Sequence, residues 1–134
     1  VSPRSIPGAK HGQYYANYYE HDGMGHMTDR ATMRNTMVEK RLRKIKAIES
    51  VIMKPVYAGD ENADITLVTW GTTKGSVIMA MEALRSQGKK VAVITYPRIY
   101  PFPATETKAL LTTAKRIVDV EQNATGQLAH LIRS

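Results

Sequence analysis

A glycine- and threonine-rich segment at residues 70–75, Trp-Gly-Thr-Thr-Lys-Gly, has residue types that can bind an anion. It follows a β-rich run and precedes a run with helical spacing, so it falls at a strand-to-helix turn. Glycines let backbone N–H groups approach a ligand, and the first turn of a helix favours negative charge. We therefore predict that a bound anion would lie at Gly71, Thr72, Thr73 and Lys74. A tight turn capped by a threonine is the simpler interpretation and stays open.

The spacing of this segment differs from the common nucleotide-binding motifs. It lacks the GxxxxGK[ST] spacing of the P-loop and the GxGxxG spacing of dinucleotide-binding turns. A stand-alone small nucleotide-binding enzyme built on residues 71–75 therefore remains only an alternative. The chain also has no nucleophile elbow and no HExxH motif, and we assign no catalytic residue.

Two polar side chains, Glu121 and Asn123, follow the third β-rich run. The carboxyl ends of parallel strands lie at one edge of a sheet, so this pair should share an edge with residues 71–75. A carboxylate beside an amide can bind a ligand or serve an interface. It can also cap the helix that begins near Gly126 and fix the loop, and we favour this structural role.

The loop at residues 20–26, Glu-His-Asp-Gly-Met-Gly-His, contains potential metal ligands. Its spacing matches no zinc or calcium motif, so we predict a polar interface loop and no metal site. The chain has no cysteine, which excludes disulfides, thiolate metal sites and iron–sulfur ligation by this segment.

Three apolar runs that alternate with helical patterns predict an α/β fold. The runs cover residues 65–70, 91–96 and 116–121, and the helical patterns cover 73–87, 104–114 and 126–132. This alternation, with short connections, is typical of a three-layer parallel sheet of Rossmann-like type. Right-handed crossovers place the 65–70 strand between the other two, with helices on both faces.

The part of the chain before this domain has a different character. Residues 1–32 have no periodic pattern, and they carry tyrosines at 14, 15, 18 and 19 that need a surface to pack on. We predict an irregular interdomain docking arm; the alternative is that it folds back onto the next helix. Residues 33–54 predict an amphipathic basic helix ended by Lys54-Pro55. Residues 55–134 then form the α/β domain, which we expect to be incomplete at its C-terminus.

The net charge of +7 is concentrated in the predicted helix. The basic residues there are Lys40, Arg41, Arg43, Lys44 and Lys46. Such a run can bind nucleic acid, bind an acidic protein partner or form a solvated helix face. The chain lacks an aromatic platform and a base-reading motif, so we do not expect nucleic acid, and a basic nucleic-acid-binding module stays an alternative.

Length and composition bound the remaining possibilities. The 134 residues, 43% hydrophobic and 23% charged, are those of one folded domain. No apolar run approaches the ~20 residues that a membrane-spanning helix needs. The chain begins at Val1 without a signal-peptide pattern, so we expect a piece of a longer cytoplasmic protein with no membrane contact.

Several segments, taken in order, carry a resemblance that extends along essentially the whole chain. They cover residues 2–4, 6–8, 20–22, 25–26, 37–41, 63–75, 100–103 and 120–128. In this order and register they resemble the last domain of 2-oxoacid:ferredoxin oxidoreductase alpha subunits, with the 2-oxoglutarate type closest. The Trp-Gly-Thr-Thr-Lys-Gly and Asn-x-Thr-Gly-Gln elements point to this branch of the transketolase-type domains.

The resemblance implies a transketolase C-terminal-like domain within a larger enzyme. Such enzymes decarboxylate a 2-oxoacid on thiamine diphosphate, pass electrons through iron–sulfur clusters to ferredoxin and form an acyl-CoA. Thiamine diphosphate, Mg²⁺, an iron–sulfur cluster and CoA are thus implied for the whole enzyme, with none held in this fragment. The implied partners are the beta subunit, the remaining alpha-subunit domains and ferredoxin, and a homodimer is left open. We expect a structural or assembly domain that is inactive alone.

Overall fold

The computed structural model describes residues 4–14 and 19–134, so Tyr15 and Tyr18 of the predicted docking arm lie outside the described residues. The chain divides into two compact units, Val1–Ala47 and Ile48–Ser134. None of the helices in the described ranges is both long enough and apolar enough to cross a membrane.

The first unit contains a short hairpin and most of one long helix. Strands β1 (Glu20–His21) and β2 (Met27–Thr28) pair antiparallel, and helix α1 covers Ala31–Glu49. The helix is the predicted one, but it ends before Lys54-Pro55, so the proline does not terminate it. Met37 is buried, whereas Val38 and Leu42, apolar residues of the same helix, are exposed.

The second unit is built on a four-stranded sheet. Its strands are β3 (Val56–Gly59), β4 (Ile65–Trp70), β5 (Val91–Tyr96) and β6 (Ile117–Asp119), in the order β3-β5-β4-β6. Strand β4 pairs parallel with β5, from Ile65 opposite Val91 to Trp70 opposite Tyr96, and parallel with β6 on its other side. The predicted central position of β4 between two parallel neighbours is confirmed.

Strand β3 was not predicted, and it makes the sheet mixed rather than purely parallel. It pairs antiparallel with β5, from Val56 opposite Thr95 to Gly59 opposite Ala92. All four of its residues are exposed, as befits a short strand at a sheet edge. Four residues without an alternating apolar pattern do not produce the two-residue period by which strands are recognised. The expectation of an all-parallel sheet therefore needs this correction.

Helices cover both faces of the sheet, as predicted. They are α2 (Lys74–Ser86), which follows a 3₁₀ turn at Gly71–Thr73, α3 (Ala104–Leu111) and α4 (Gln127–Arg133). On one face Val77 and Met81 of α2 pack against Leu67, Val91 and Val93. On the other face Leu128, Leu110, Leu111 and Ile132 from α3 and α4 pack around Val68, Ile94 and Tyr96. All six residues of β5 are buried, which explains why its sequence is apolar without alternation.

A close junction joins β3 to the start of β5. Gly59 has a φ of +115°, and a Cβ built on it would lie 2.5 Å from the carbonyl oxygen of Val91. The carboxylate of the next residue, Asp60, accepts hydrogen bonds from the backbone N–H of Val91 and from the guanidinium of Arg85, each at 3.0 Å. This junction fixes the antiparallel edge strand onto the parallel part of the sheet.

Candidate functional site

A cleft of about 160 Å³ lies at the carboxyl ends of β4 and β5. Its lining residues are Trp70, Gly71, Lys74, Thr95, Tyr96 and Pro97. Gly71 and Lys74 belong to the predicted anion site, whereas Thr72 and Thr73 do not line the cleft. The cleft residues on β5 were not predicted, although the parallel pairing of the two strands was a signal that their ends would meet at one edge.

The start of helix α2 lies at this cleft, and the backbone N–H of Lys74 donates to the carbonyl oxygen of Gly71. Gly71 has a φ of +64°, which turns the chain from β4 into the 3₁₀ turn. Thr73 precedes α2 with no side-chain capping bond, and within this described segment the first turn of α2 contains no acidic residue. The threonine cap that the simpler interpretation required is thus not formed. The positive end of the α2 dipole beside the exposed side chain of Lys74 is a favourable arrangement for a negative charge.

Glu121 connects the end of β6 to the start of helix α4. Its carboxylate accepts hydrogen bonds from the backbone N–H groups of Leu128, at 3.0 Å, and Ala129, at 3.4 Å. The indole Nε1 of Trp70 lies 3.4 Å from Oε2 of Glu121 and donates to it. Because Trp70 also lines the cleft, Glu121 holds both the first turn of α4 and one wall of the cleft.

Asn123 fixes the loop between β6 and α4. Its side-chain nitrogen donates to the carboxylate of Glu121, and its Oδ1 accepts from the backbone N–H of Gln127 at 3.0 Å. The hydroxyl of Thr125 also donates to this Oδ1, at 3.3 Å. These contacts describe the capping role that we favoured for the two residues; a further role in ligand or interface binding stays a prediction.

Asp119 is a residue of this edge that the sequence reasoning missed. Burial, together with the neighbouring Glu121 carboxyl group, raises the pKa of Asp119 to about 6. Burial also acts to raise the pKa of Glu121, but hydrogen bonds from Leu128 N–H and from Asp119 outweigh it and lower that pKa to about 2. An acidic residue within the apolar run 116–121 was the available signal, because charged side chains in buried strands need a special environment.

The loop at residues 20–26 is organised by its own hydrogen bonds. The carboxylate of Asp22 accepts from the backbone N–H groups of Met24, at 2.8 Å, and His26, at 2.9 Å. Glu20 forms a two-pronged ion pair with Arg41 of α1, and the hydrogen bonds from this guanidinium lower the pKa of Glu20 to about 2. Two acidic side chains of the loop therefore serve its turn and its attachment to α1.

Comparisons with known proteins agree with the architecture. The family model for pyruvate:ferredoxin oxidoreductase core domain II matches residues 63–134. A 2-oxoacid:ferredoxin oxidoreductase alpha subunit of Aeropyrum pernix is 39% identical and is aligned with 100% of this chain and 21% of its own length. The corresponding alpha subunit of Saccharolobus solfataricus is 31% identical over 99% of this chain and 21% of its own length.

A solved structure extends the similarity to three dimensions. The 2-oxoglutarate:ferredoxin oxidoreductase from Magnetococcus marinus, with 2-oxoglutarate, coenzyme A and succinyl-CoA bound, matches with a TM-score of 0.71 at 30% identity. The match covers 99% of this chain and 23% of that chain. This chain thus spans about a fifth of the length of the curated relatives it matches. The region matched by this solved structure contains the sheet, the cleft and the capped start of α4. From the family model and the alignment with alpha subunits, the chain belongs to the pyruvate:ferredoxin oxidoreductase core domain II family, as a domain of the 2-oxoacid:ferredoxin oxidoreductase alpha-subunit type.

Proposed function

We propose that this chain is the C-terminal, transketolase-like domain of a 2-oxoacid:ferredoxin oxidoreductase alpha subunit and serves assembly rather than catalysis. The observation that carries the proposal is the alignment of the whole chain, including the part before residue 63, with alpha subunits. Neither a basic nucleic-acid-binding module nor a stand-alone nucleotide-binding enzyme is favoured, because the residues on which each rested align with these subunits.

The reaction that we propose for the whole enzyme converts a 2-oxoacid and CoA to an acyl-CoA and CO₂ with reduction of ferredoxin. We propose 2-oxoglutarate as the 2-oxoacid, because the Magnetococcus marinus enzyme has this compound, coenzyme A and succinyl-CoA bound. The proposed partners are the beta subunit, the remaining alpha-subunit domains and ferredoxin. We further propose that the enzyme works in the cytoplasm.

Two of the cofactors of this reaction, the iron–sulfur cluster and Mg²⁺, lack a matching set of ligands in this domain as far as the structure describes it. An iron–sulfur cluster needs cysteine thiolates, and the sequence contains none. Across residues 4–14 and 19–134 no three His, Asp or Glu side chains are grouped closely enough to hold a metal ion such as the Mg²⁺ of thiamine diphosphate. We therefore place thiamine diphosphate, Mg²⁺ and the cluster in the rest of the enzyme and assign no catalytic step to this domain.

We expect the isolated chain to have no oxidoreductase activity, because the proposed cofactor site lies outside it. The measurement is reduction of a dye or ferredoxin in the presence of 2-oxoglutarate or pyruvate, CoA, thiamine diphosphate and Mg²⁺. The control is the complete alpha subunit that contains this domain, produced together with its beta subunit, for which we expect turnover. Activity of the isolated chain would show that the active site is misplaced, and an inactive complete enzyme with both 2-oxoacids would contradict the proposed reaction.

We also propose that the cleft at Gly71 and Lys74 binds an anion, and we expect Lys74→Ala to weaken phosphate or sulfate binding about two- to tenfold. This loss of affinity is what we expect from removing one exposed ammonium group near a helix N-terminus. Binding would be followed by NMR shifts of the backbone amides of residues 71–77. Lys89→Ala, in the turn that follows the C-terminal end of α2, is the matched control and should bind as the wild type does. Equal losses in both variants, or amide shifts confined to residues 40–46, would indicate general surface attraction instead.

A further inference from the structure

Two carboxyl side chains meet at the end of β6, beside the first turn of α4. Asp119 and Glu121 are two residues apart, so on an extended chain they project to the same side. Each of the two carboxyl groups shifts the pKa of the other. Ionised carboxylates only accept hydrogen bonds, so a hydrogen bond between these two groups requires that one of them carries a proton.

The surrounding donors indicate which group is ionised. Glu121 is supplied with N–H donors: the backbone of Leu128 and Ala129, the indole of Trp70 and the amide of Asn123. Such a set of donors stabilises the ionised form of a carboxyl group.

Asp119 is placed differently. Its Oδ1 is buried, and in the part of the chain that the structure describes no group donates a hydrogen bond to this atom. A buried carboxylate oxygen without a donor is unfavourable, whereas a protonated carboxyl group supplies its own hydrogen. We propose that Asp119 and Glu121 share one proton carried by Asp119, and that this proton fixes the first turn of α4 against the end of β6.

The electrostatic surroundings agree with this assignment. Burial raises the pKa of Asp119 to about 6, with a further rise from Glu121, while the positive charge of Arg133 and the backbone N–H of Ala129, both on α4, act to lower it. On β5 the phenol of Tyr96 faces the pair; its pKa is raised by burial and, to a lesser extent, by Asp119. From β4 the uncharged indole of Trp70 donates a hydrogen bond to Glu121.

The sign of the pH dependence follows from the two shifts. The raised pKa of Asp119 makes its contribution to stability complete below the ordinary value of 3.8, and this contribution is lost as the pH rises through about 6. The lowered pKa of Glu121 contributes above the ordinary value of 4.5 and is lost only as the pH falls through about 2. A seven-residue helix cannot persist without such attachment. Above pH 6 the start of α4 is therefore held less firmly, and Trp70 in the cleft wall loses part of its support.

The test uses the 134-residue chain and two readouts. Carboxyl-carbon NMR from pH 3 to 8 should show Asp119 titrating well above the ordinary range of aspartate. The hydrogen-exchange protection of the Leu128 and Ala129 amides, corrected for intrinsic exchange rates, should fall about tenfold between pH 5 and pH 8. Ordinary titration of Asp119 would overturn the proposal.

Variants separate the shared proton from a merely structural role. Asp119→Asn supplies a permanent N–H donor, so we expect protection of the two amides to be independent of pH and as high as in the wild type at pH 5. Asp64→Asn is the matched control: it removes an exposed carboxylate that pairs with Lys115, and the titration of Asp119 should persist. A fall in protection that remains in Asp119→Asn would contradict the proposal. If that variant does not fold, the wild-type titration alone decides.

Discussion

Gly59→Ala is expected to lower the free energy of unfolding by about 3–5 kcal/mol, a loss that combines backbone strain with overpacking. At a φ of +115° a side chain is strained even in open space. Here the new Cβ would also lie 2.5 Å from the carbonyl oxygen of Val91 and 2.8 Å from Cα of Ala92. Both are backbone atoms at the start of β5, an interior strand of the sheet, so neither can move without disturbing the sheet.

The measurement is urea unfolding of the wild type and the variant under identical conditions. Gly75→Ala is the matched control, because a Cβ at this helical position meets no heavy atom within 4 Å. Alanine is the better helix former, so this control should be unchanged or more stable by up to about 1 kcal/mol. A Gly59→Ala variant within 1 kcal/mol of the wild type would show that β3 can shift away from β5, contrary to the described junction.

Leu128→Ala is expected to cost about 3–5 kcal/mol, as for other fully buried leucines that leave a cavity. Leu128 has no exposed surface and packs in the cluster of Val68, Ile94 and Tyr96. It is the only fully buried residue within helix α4, so its side chain is the main apolar attachment of that helix to the sheet.

Chemical unfolding again gives the measurement, and Leu131→Ala is the control on the same helix. Leu131 is only half-buried, and we expect its replacement to cost less than about 1.5 kcal/mol. Equal costs in the two variants would mean that helix propensity rather than burial decides. A cost below 1 kcal/mol for Leu128→Ala would show that α4 is not part of the core.

The fold could be predicted from the sequence where burial leaves a continuous signal. Strands β4 and β5 are apolar at nearly every position because both faces are covered, and helix α2 has Val77 and Met81 at helical spacing. Strand β3 has no such signal, since it is short, exposed and held mainly by backbone bonds and by the Gly59–Asp60 junction. Its existence depends on the partner strand, which a local pattern does not contain.

The candidate site was predictable to a smaller extent. Gly71 and Lys74 were found because turn chemistry is local, and Glu121 because it ends a strand. The absence of a cap at Thr73 within the described turn, and the environment of Asp119, depend on where α2 and α4 pack. Tertiary placement of this kind decides hydrogen bonds and pKa values, and neither residue type nor spacing reveals it.

The docking of residues 1–32 stays a prediction. Among the described residues of this arm, Tyr14 is 71% exposed, as a surface that binds a partner would be. The ion pair between Glu20 and Arg41 joins the hairpin to α1, as the alternative interpretation requires. Hydrogen exchange of this hairpin, measured in the chain and in the complete enzyme, separates the two interpretations.

The antiparallel direction of β3 decides where foreign sequence can be inserted into this domain. Val56 lies opposite Thr95, which lines the cleft. The residues that lead into β3 therefore arrive at the end of the sheet where β4 and β5 have their carboxyl ends. The turn at residues 87–90, between α2 and β5, lies at the opposite end of the sheet, where β5 begins. A fluorophore or affinity tag placed in that turn is remote from the cleft, whereas the same tag placed at residues 50–55 stands at the end of the sheet that carries it.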